Sequence, residues 1–302
     1  MAKNNTLAGK REKIKKGDLI FYCAILALPL LNLVVFYFYG NFNSFLLGLK
    51  EYDTSTGTFS WEGFSAFSQA FSDLFSKQMG IALKNSLILY AISLFITMPL
   101  SLLFSYYIYK KFPFSGIIRA LLYLPSIIAS IILIVIFKFF VGRFLPEVIG
   151  CEGNLLSNPS TAFPIILLYV VIVGFGGTTL IYSCAMNGIN DSVIEAAQLD
   201  GCNKLHEFIF IVIPSIWPTF TTYVVTGLAG LFTAQMCLFD IYGQGADANI
   251  QNIGYYLYAM TAKGDFSEYP YLSTFGIYLT IVTVPLTFGV RYLMNKFGPS
   301  AE

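Results

Sequence analysis

The sequence predicts an all-α integral membrane protein with six transmembrane helices, and three observations carry that prediction. Of 302 residues, 56% are hydrophobic and only 12% are charged, about half the charge of a soluble domain. The apolar residues gather in runs of roughly 20 or more, the length a helix needs to cross the hydrocarbon core. The lysines and arginines concentrate on alternate connections, the pattern that sets membrane orientation. A net charge of +1 gives no basis for a nucleic-acid partner; the surroundings implied by composition are membrane lipid.

The elements follow in order. Residues 1–18, "MAKNNTLAGKREKIKKGD", form a basic segment expected in the cytoplasm. The first span, 19–42, is too long for a cleavable signal core and leads into "FYFYGNF" rather than a small-residue cleavage site. Five further spans are expected at 81–109, 117–139, 163–186, 216–239 and 271–295, so the membrane domain covers 19–295 and leaves a cytoplasmic tail at 296–302. Pro29, Pro99, Pro125 and Pro285 lie inside spans, where neighbouring groups can re-satisfy freed carbonyls and kinks are expected. With the N-terminus inside, two-thirds of the 18 basic residues fall on the inner side. Both termini are therefore expected in the cytoplasm. Connections 43–80, 140–162 and 240–270 fall outside and are long and aromatic, which suggests lining or docking roles.

Chemistry of the catalytic kind is sparse. Cys23, Cys151, Cys184, Cys202 and Cys237 show no paired spacing, and His206 is the single histidine. No disulfide framework, metal site or catalytic residue is expected. Lys84 and Lys138 are expected to snorkel to the outer interface.

One segment breaks the apolar pattern: "EAAQLDGCNKLHEFIFIVIP", residues 195–214. Ser192 with Glu195 three residues later fits a capping box. Gly201 fits the left-handed residue that ends a helix. A second helix follows, with Leu205, Phe208, Ile209 and Val212 on one face and Lys204 and Glu207 on the other. Pro214 sets the entry to the next span. The small residues at the tip suit a knob that enters a groove on another protein, and local chemistry suits a plain surface hairpin equally well.

This segment resembles the cytoplasmic loop of permease subunits of bacterial ATP-binding-cassette importers, whose pattern is E-A-A, three residues, G, nine residues, I-x-L-P. Here it reads Glu195-Ala196-Ala197, Gly201 and Ile211-Val212-Ile213-Pro214, with isoleucine in place of the leucine. "NGIN" (187–190), "LDG" (199–201), "RALLYLPSIIAS" (119–130) and "GVRYLMNKF" (289–297) are similar to carbohydrate permeases of the maltose/raffinose type. Two departures stand out. Cys202 replaces the usual alanine, and "YGQGAD" (242–247) lacks a proline common after the fifth span.

The resemblance implies a type I importer-like permease with a cytoplasmic coupling helix within a coupling loop at 187–214. Its ATPase-coupling residues would be Glu195, Ala196, Ala197, Asp200, Gly201 and Pro214. It also implies a second homologous permease as partner, a different chain with which this one would form a heterodimer. Two ATP-binding subunits that use ATP and magnesium and an extracellular solute-binding protein would complete the assembly. No phosphate-loop motif G-x-x-x-x-G-K-[ST] occurs in the sequence, so this chain is expected to bind no cofactor and to be no enzyme. The expected place is the bacterial cell membrane.

For the substrate pathway, small and polar residues at membrane depth are the candidates. These are Gly174, Phe175, Gly176 and Gly177 on the fourth span, with Phe175 suited to stacking on a sugar ring. On the fifth they are Tyr223, Thr226, Gly227, Gly230 and Gln235. Close helix packing is the competing explanation for each glycine. The expected function is uptake of an oligosaccharide or related sugar. A permease for a polyol or sugar phosphate is one alternative. An ion-coupled secondary transporter is another, but it would want paired intramembrane acids or inverted repeats.

Overall fold

The computed structural model describes residues 16–150 and 153–299. Most of the basic opening segment, Cys151 and the last three residues lie outside that range. Among the described residues, four helices are long and apolar enough to cross a membrane, or six when each of two bent pairs counts as one span. The six-span expectation therefore holds with two spans broken.

Helix α1 (Phe21–Leu47) is exposed along nearly its whole length. It is tied down only near its end, where the Ser273 hydroxyl donates to the Ser44 carbonyl and Gly48 sits against Thr274. The connection that follows is folded. Strands β1 (Lys50–Asp53) and β2 (Thr58–Trp61) pair antiparallel with Lys50 opposite Trp61, and helix α2 (Ser65–Leu74) buries Ala70 completely.

Helix α3 (Lys77–Tyr109) opens on Ser76, whose hydroxyl accepts from the Met79 amide at 3.2 Å. It widens into a π-type turn over Ser93–Thr97, two residues before Pro99. The same widening occurs at Phe140–Phe144 before Pro146 and at Phe208–Val212 before Pro214. A proline has no amide hydrogen to donate, and its ring crowds the carbonyl one turn back. A locally widened turn relieves that crowding without ending the helix. Pro29 and Pro285, by contrast, sit inside continuous helix.

The third span, expected at 117–139 with a kink at Pro125, is broken outright. It consists of α4 (Ser115–Ile127) and α5 (Ser130–Ile149), bent by 100°. Ile128 and Ala129, just after Pro125, are extended, and α5 takes up the start of the expected outer connection 140–162. Lys138, expected to snorkel, lies on α5. Its ammonium donates to the Ile241 carbonyl at 2.8 Å.

Helix α6 (Pro159–Met186) packs along α3 through a polar seam. Ser101 meets the Thr178 hydroxyl at 2.7 Å, and Ser105 donates to the Thr179 carbonyl at 2.8 Å. Gly176 lets α6 and α4 approach closely, because a Cβ there would lie 2.0 Å from the Leu122 carbonyl oxygen on α4.

The fifth span also departs from expectation. After α7 (Asp191–Leu199), α8 (Lys204–Ser215) and α9 (Trp217–Ala229) meet at a 71° bend. Helix α9 stops at Ala229, well short of residue 239. Residues 230–237 leave the helix, with Met236 and Cys237 at positive φ. Non-helical backbone at membrane depth must be satisfied by protein or line a cavity. Here the buried Asn252 side chain donates to the Ala234 carbonyl at 2.8 Å, and Gly254 presses on the same backbone, where a Cβ would meet Ala234 O at 2.4 Å. The expected outer connection 240–270 thus carries the end of α10 (Leu238–Tyr242) and all of α11 (Ile253–Ala262), the latter buried through Ile253 and Tyr255. Helix α12 (Phe266–Phe297) completes the bundle.

Candidate functional site

Two places concentrate the residues singled out by sequence: an exposed hairpin between α6 and α9, and a cavity among α3, α6 and α9.

The hairpin is built by asparagines. Asn190, not Ser192, caps α7, its side chain accepting from the Ser192 amide at 3.1 Å. The capping box anticipated at Ser192 and Glu195 therefore does not form, because the helix starts two residues sooner, at Asp191. Asn203 caps α8 by accepting from the His206 amide at 2.8 Å. Between them, Gly201 N donates to Gln198 O at 3.1 Å and Cys202 N to Ala197 O at 3.0 Å. This is a Schellman closure, which puts Gly201 in the left-handed region, and its φ is +76°. Nothing lies within 4 Å of where its Cβ would be.

Glu195, Ala196, Asp200 and Gly201 are all exposed, whereas Ala197 is buried beside Ile194. The tip is therefore small, acidic and open, and Leu199 is 89% exposed. Pro214 lies at the other end of the segment, half-buried inside α8.

The expected faces of α8 are reversed in part. Phe208 and Val212 are buried, Leu205 and Ile209 are exposed, and Glu207 is buried rather than solvated. Its carboxylate lies 2.5 Å from the Lys110 ammonium, just past the end of α3. The Tyr106 hydroxyl faces both Glu207 Oε1 at 3.2 Å and the Lys204 carbonyl at 3.0 Å. The Lys204 ammonium in turn stands 4.4 Å from the Phe112 ring centre.

The cavity measures about 330 Å³. Gly174, Tyr223, Thr226 and Gly227 line it, so four sequence candidates from two helices come together. The Tyr182 and Tyr223 rings pack at 5.2 Å. The other candidates turn elsewhere. Phe175 stacks on Phe104 at 5.6 Å, Gly176 contacts the Leu122 backbone, and Gly230 ends α9. Gly177 faces open space, and Gln235 has its side-chain oxygen buried without a partner. The sequence reading missed the α3 wall, formed by Tyr90, Ser93, Leu94, Thr97 and Met98. A usable signal was present: Ser93 and Thr97 lie one turn apart just before Pro99. The lining holds hydroxyls, aromatic rings and apolar groups and includes no charged side chain.

Comparison with known proteins places these features. A family model described as "Binding-protein-dependent transport system inner membrane component" matches residues 97–301. Protein LplB of Bacillus subtilis (strain 168) is 22% identical over 83% of this chain and 81% of its own length. The diacetylchitobiose uptake system permease protein NgcF of Streptomyces coelicolor is 24% identical over 97% of this chain and 87% of its own. Among solved structures, a bacterial ABC transporter involved in import of the acidic polysaccharide alginate superposes with a TM-score of 0.75. The match covers 93% of this chain and 97% of the other at 20% identity. The fold is that of the permeases of such importers.

Proposed function

The chain belongs to the binding-protein-dependent transport system inner membrane component family, and from that premise we propose that it moves an oligosaccharide or related sugar inward by alternating access, driven by ATPase subunits docked on its 187–214 hairpin. The observation that carries the proposal is the hairpin itself. Glu195 and Ala196 are exposed next to a left-handed Gly201, and an exposed small-residue tip admits the close approach of another protein's backbone. In this reading Glu195, Ala196, Ala197, Asp200, Gly201 and Pro214 shape the joint. The hairpin face and both termini are cytoplasmic. A second permease completes the pathway, two ATP-binding subunits with magnesium and ATP sit below, and a solute-binding protein delivers cargo from outside.

The substrate class rests on two supports. Named relatives include permeases for diacetylchitobiose and arabinooligosaccharides. Ser93, Thr226 and tyrosine rings line the cavity, a chemistry that suits an uncharged polyhydroxylated solute. The family membership favours this reading over ion-coupled transport.

The mechanism follows from the joint. ATP-driven closure of the ATPases pulls the hairpin and turns the cavity outward to receive the sugar; hydrolysis and release return it inward. The test is affinity purification of this chain from its native membrane in mild detergent, with partners identified by mass spectrometry. Recovery of an ATP-binding subunit and a second permease is expected. Recovery of the chain alone, still transporting in vesicles without ATP, would overturn the proposal.

A further inference from the structure

The hairpin has two routes by which movement can reach the membrane. One is covalent, through α8 into α9, but those helices meet at a 71° bend. The other is a set of contacts onto the end of α3, and here the structure is unusually specific. The Glu207 side chain is 3% exposed and its partner Lys110 16%, so both charges are largely withdrawn from water. The Tyr106 hydroxyl adds a hydrogen bond to the same carboxylate, and its ring packs on Phe208 at 4.9 Å. Lys204, one turn before Glu207, holds Phe112 in the α3–α4 turn. Tyr106 and Phe208 belong in turn to one buried apolar cluster with Leu102 and Val212.

A buried ion pair adds little net stability compared with apolar side chains of the same shape, yet separating it strands a charge in an apolar site. Apolar contacts alone are non-directional and let packed helices slide. An ionic pair at the centre of such a contact fixes one register and resists being pulled apart. We infer that Lys110 and Glu207, with Tyr106, form a permanent joint that makes the hairpin and the end of α3 one moving body, so that the second span drives the cavity wall. Glu207 and Lys110 are positioning residues in this scheme. The inference rests on the importer reading given above.

The geometry of α3 fits the role. Thr97 lies about 20 Å along the helix from Lys110, at 1.5 Å per residue. Between the joint and the upper half of α3 stands the π-type turn Ser93–Thr97, and Ser93, Leu94, Thr97 and Met98 line the cavity. Displacement entering at Lys110 therefore reaches a softened turn that is itself part of the wall.

The experiment uses the full assembly with its co-purifying ATPases and needs no transported solute. A Ser93→Cys probe is placed in a background with the native cysteines replaced. Its labelling by an impermeant maleimide is then followed with and without a non-hydrolysable ATP analogue. With Lys110 and Glu207 intact, the nucleotide should change the labelling rate by about tenfold, and the single variants Lys110→Met and Glu207→Gln should reduce that change to less than about twofold. Lys110→Arg, which keeps the charge, should retain the response.

The single variants leave one charge buried and could fail to assemble. The paired variant Lys110→Met with Glu207→Gln removes both charges and avoids that penalty. It should assemble, hydrolyse ATP and still lose the response at residue 93. A paired variant that assembles and responds fully overturns the joint. An intact pair with no ATPase bound and no nucleotide response removes the importer premise, and the joint falls with it.

Discussion

The ammonium of Lys110 and the carboxylate of Glu207 meet at 2.5 Å in a pocket nearly closed to water. Removing one partner from such a pair leaves an uncompensated buried charge. Glu207→Ala is therefore expected to destabilise the detergent-solubilised protein by about 3 kcal/mol. Chemical or thermal unfolding checks this. A loss below about 1 kcal/mol is what an exposed pair would give and would contradict the burial described above.

Gly201→Asp separates charge from backbone strain when compared with Gly201→Asn. Both side chains tolerate the left-handed region better than other residues, and nothing lies within 4 Å of the added Cβ. Both variants should insert and fold. The aspartate should abolish ATP-driven uptake by placing a second acid beside Asp200 at the tip, while the asparagine should retain most of it. Equal uptake by the two would show that the tip makes no close contact with a partner.

The adjacent glycines of α6 should behave in opposite ways. At Gly176 a Cβ would fall 2.0 Å from the Leu122 carbonyl oxygen, a backbone atom that cannot step aside. Gly176→Ala should cost at least about 1–3 kcal/mol, as overpacking does. At Gly177 nothing lies within 4 Å, so Gly177→Ala should be within about 0.5 kcal/mol of neutral. Thermal melts of the two purified variants, run side by side, decide it.

The cavity provides a separate test of the pathway. Thr226→Trp places a large ring in a space of about 330 Å³. Uptake should fall more than about tenfold with ATP hydrolysis retained, because only a step that needs the open cavity is blocked. Growth on candidate oligosaccharides, compared with ATPase assays on the purified assembly, measures both. Unchanged uptake would place the solute's route elsewhere.

Six spans were legible in the sequence because membrane helices advertise themselves as long apolar runs. The breaks were not. The bend at Ile128 and Ala129 follows Pro125, yet Pro29 and Pro285 interrupt nothing, so proline alone does not decide the outcome. The early end of α9 depends on Asn252 and Gly254, which lie some way along the chain and outside any helical window.

At the hairpin, Gly201 was readable from its local chemistry, but the cap was not, since Asn190, two residues before Ser192, takes the cap position instead. Helical spacing put Glu207 on a polar face; its burial follows from Lys110 and Tyr106, which precede it by about a third of the chain and leave no local trace. The cavity was half legible. The stripe Tyr223, Thr226 and Gly227 follows helical spacing, whereas the α3 wall shows itself only once the bundle closes.

The most direct test of the account is a photo-crosslink from the hairpin tip. Leu199 is 89% exposed and adjoins Asp200 and Gly201, so replacing it with a benzophenone-bearing residue leaves the fold undisturbed. Irradiation of native membranes is expected to join this chain to an ATP-binding subunit, identified by mass spectrometry, with a yield that changes when ATP is added. If position 199 yields no adduct with an ATPase, while a control position on the α1 face reacts with its surroundings, the hairpin is not the docking joint and the ATP-driven account fails.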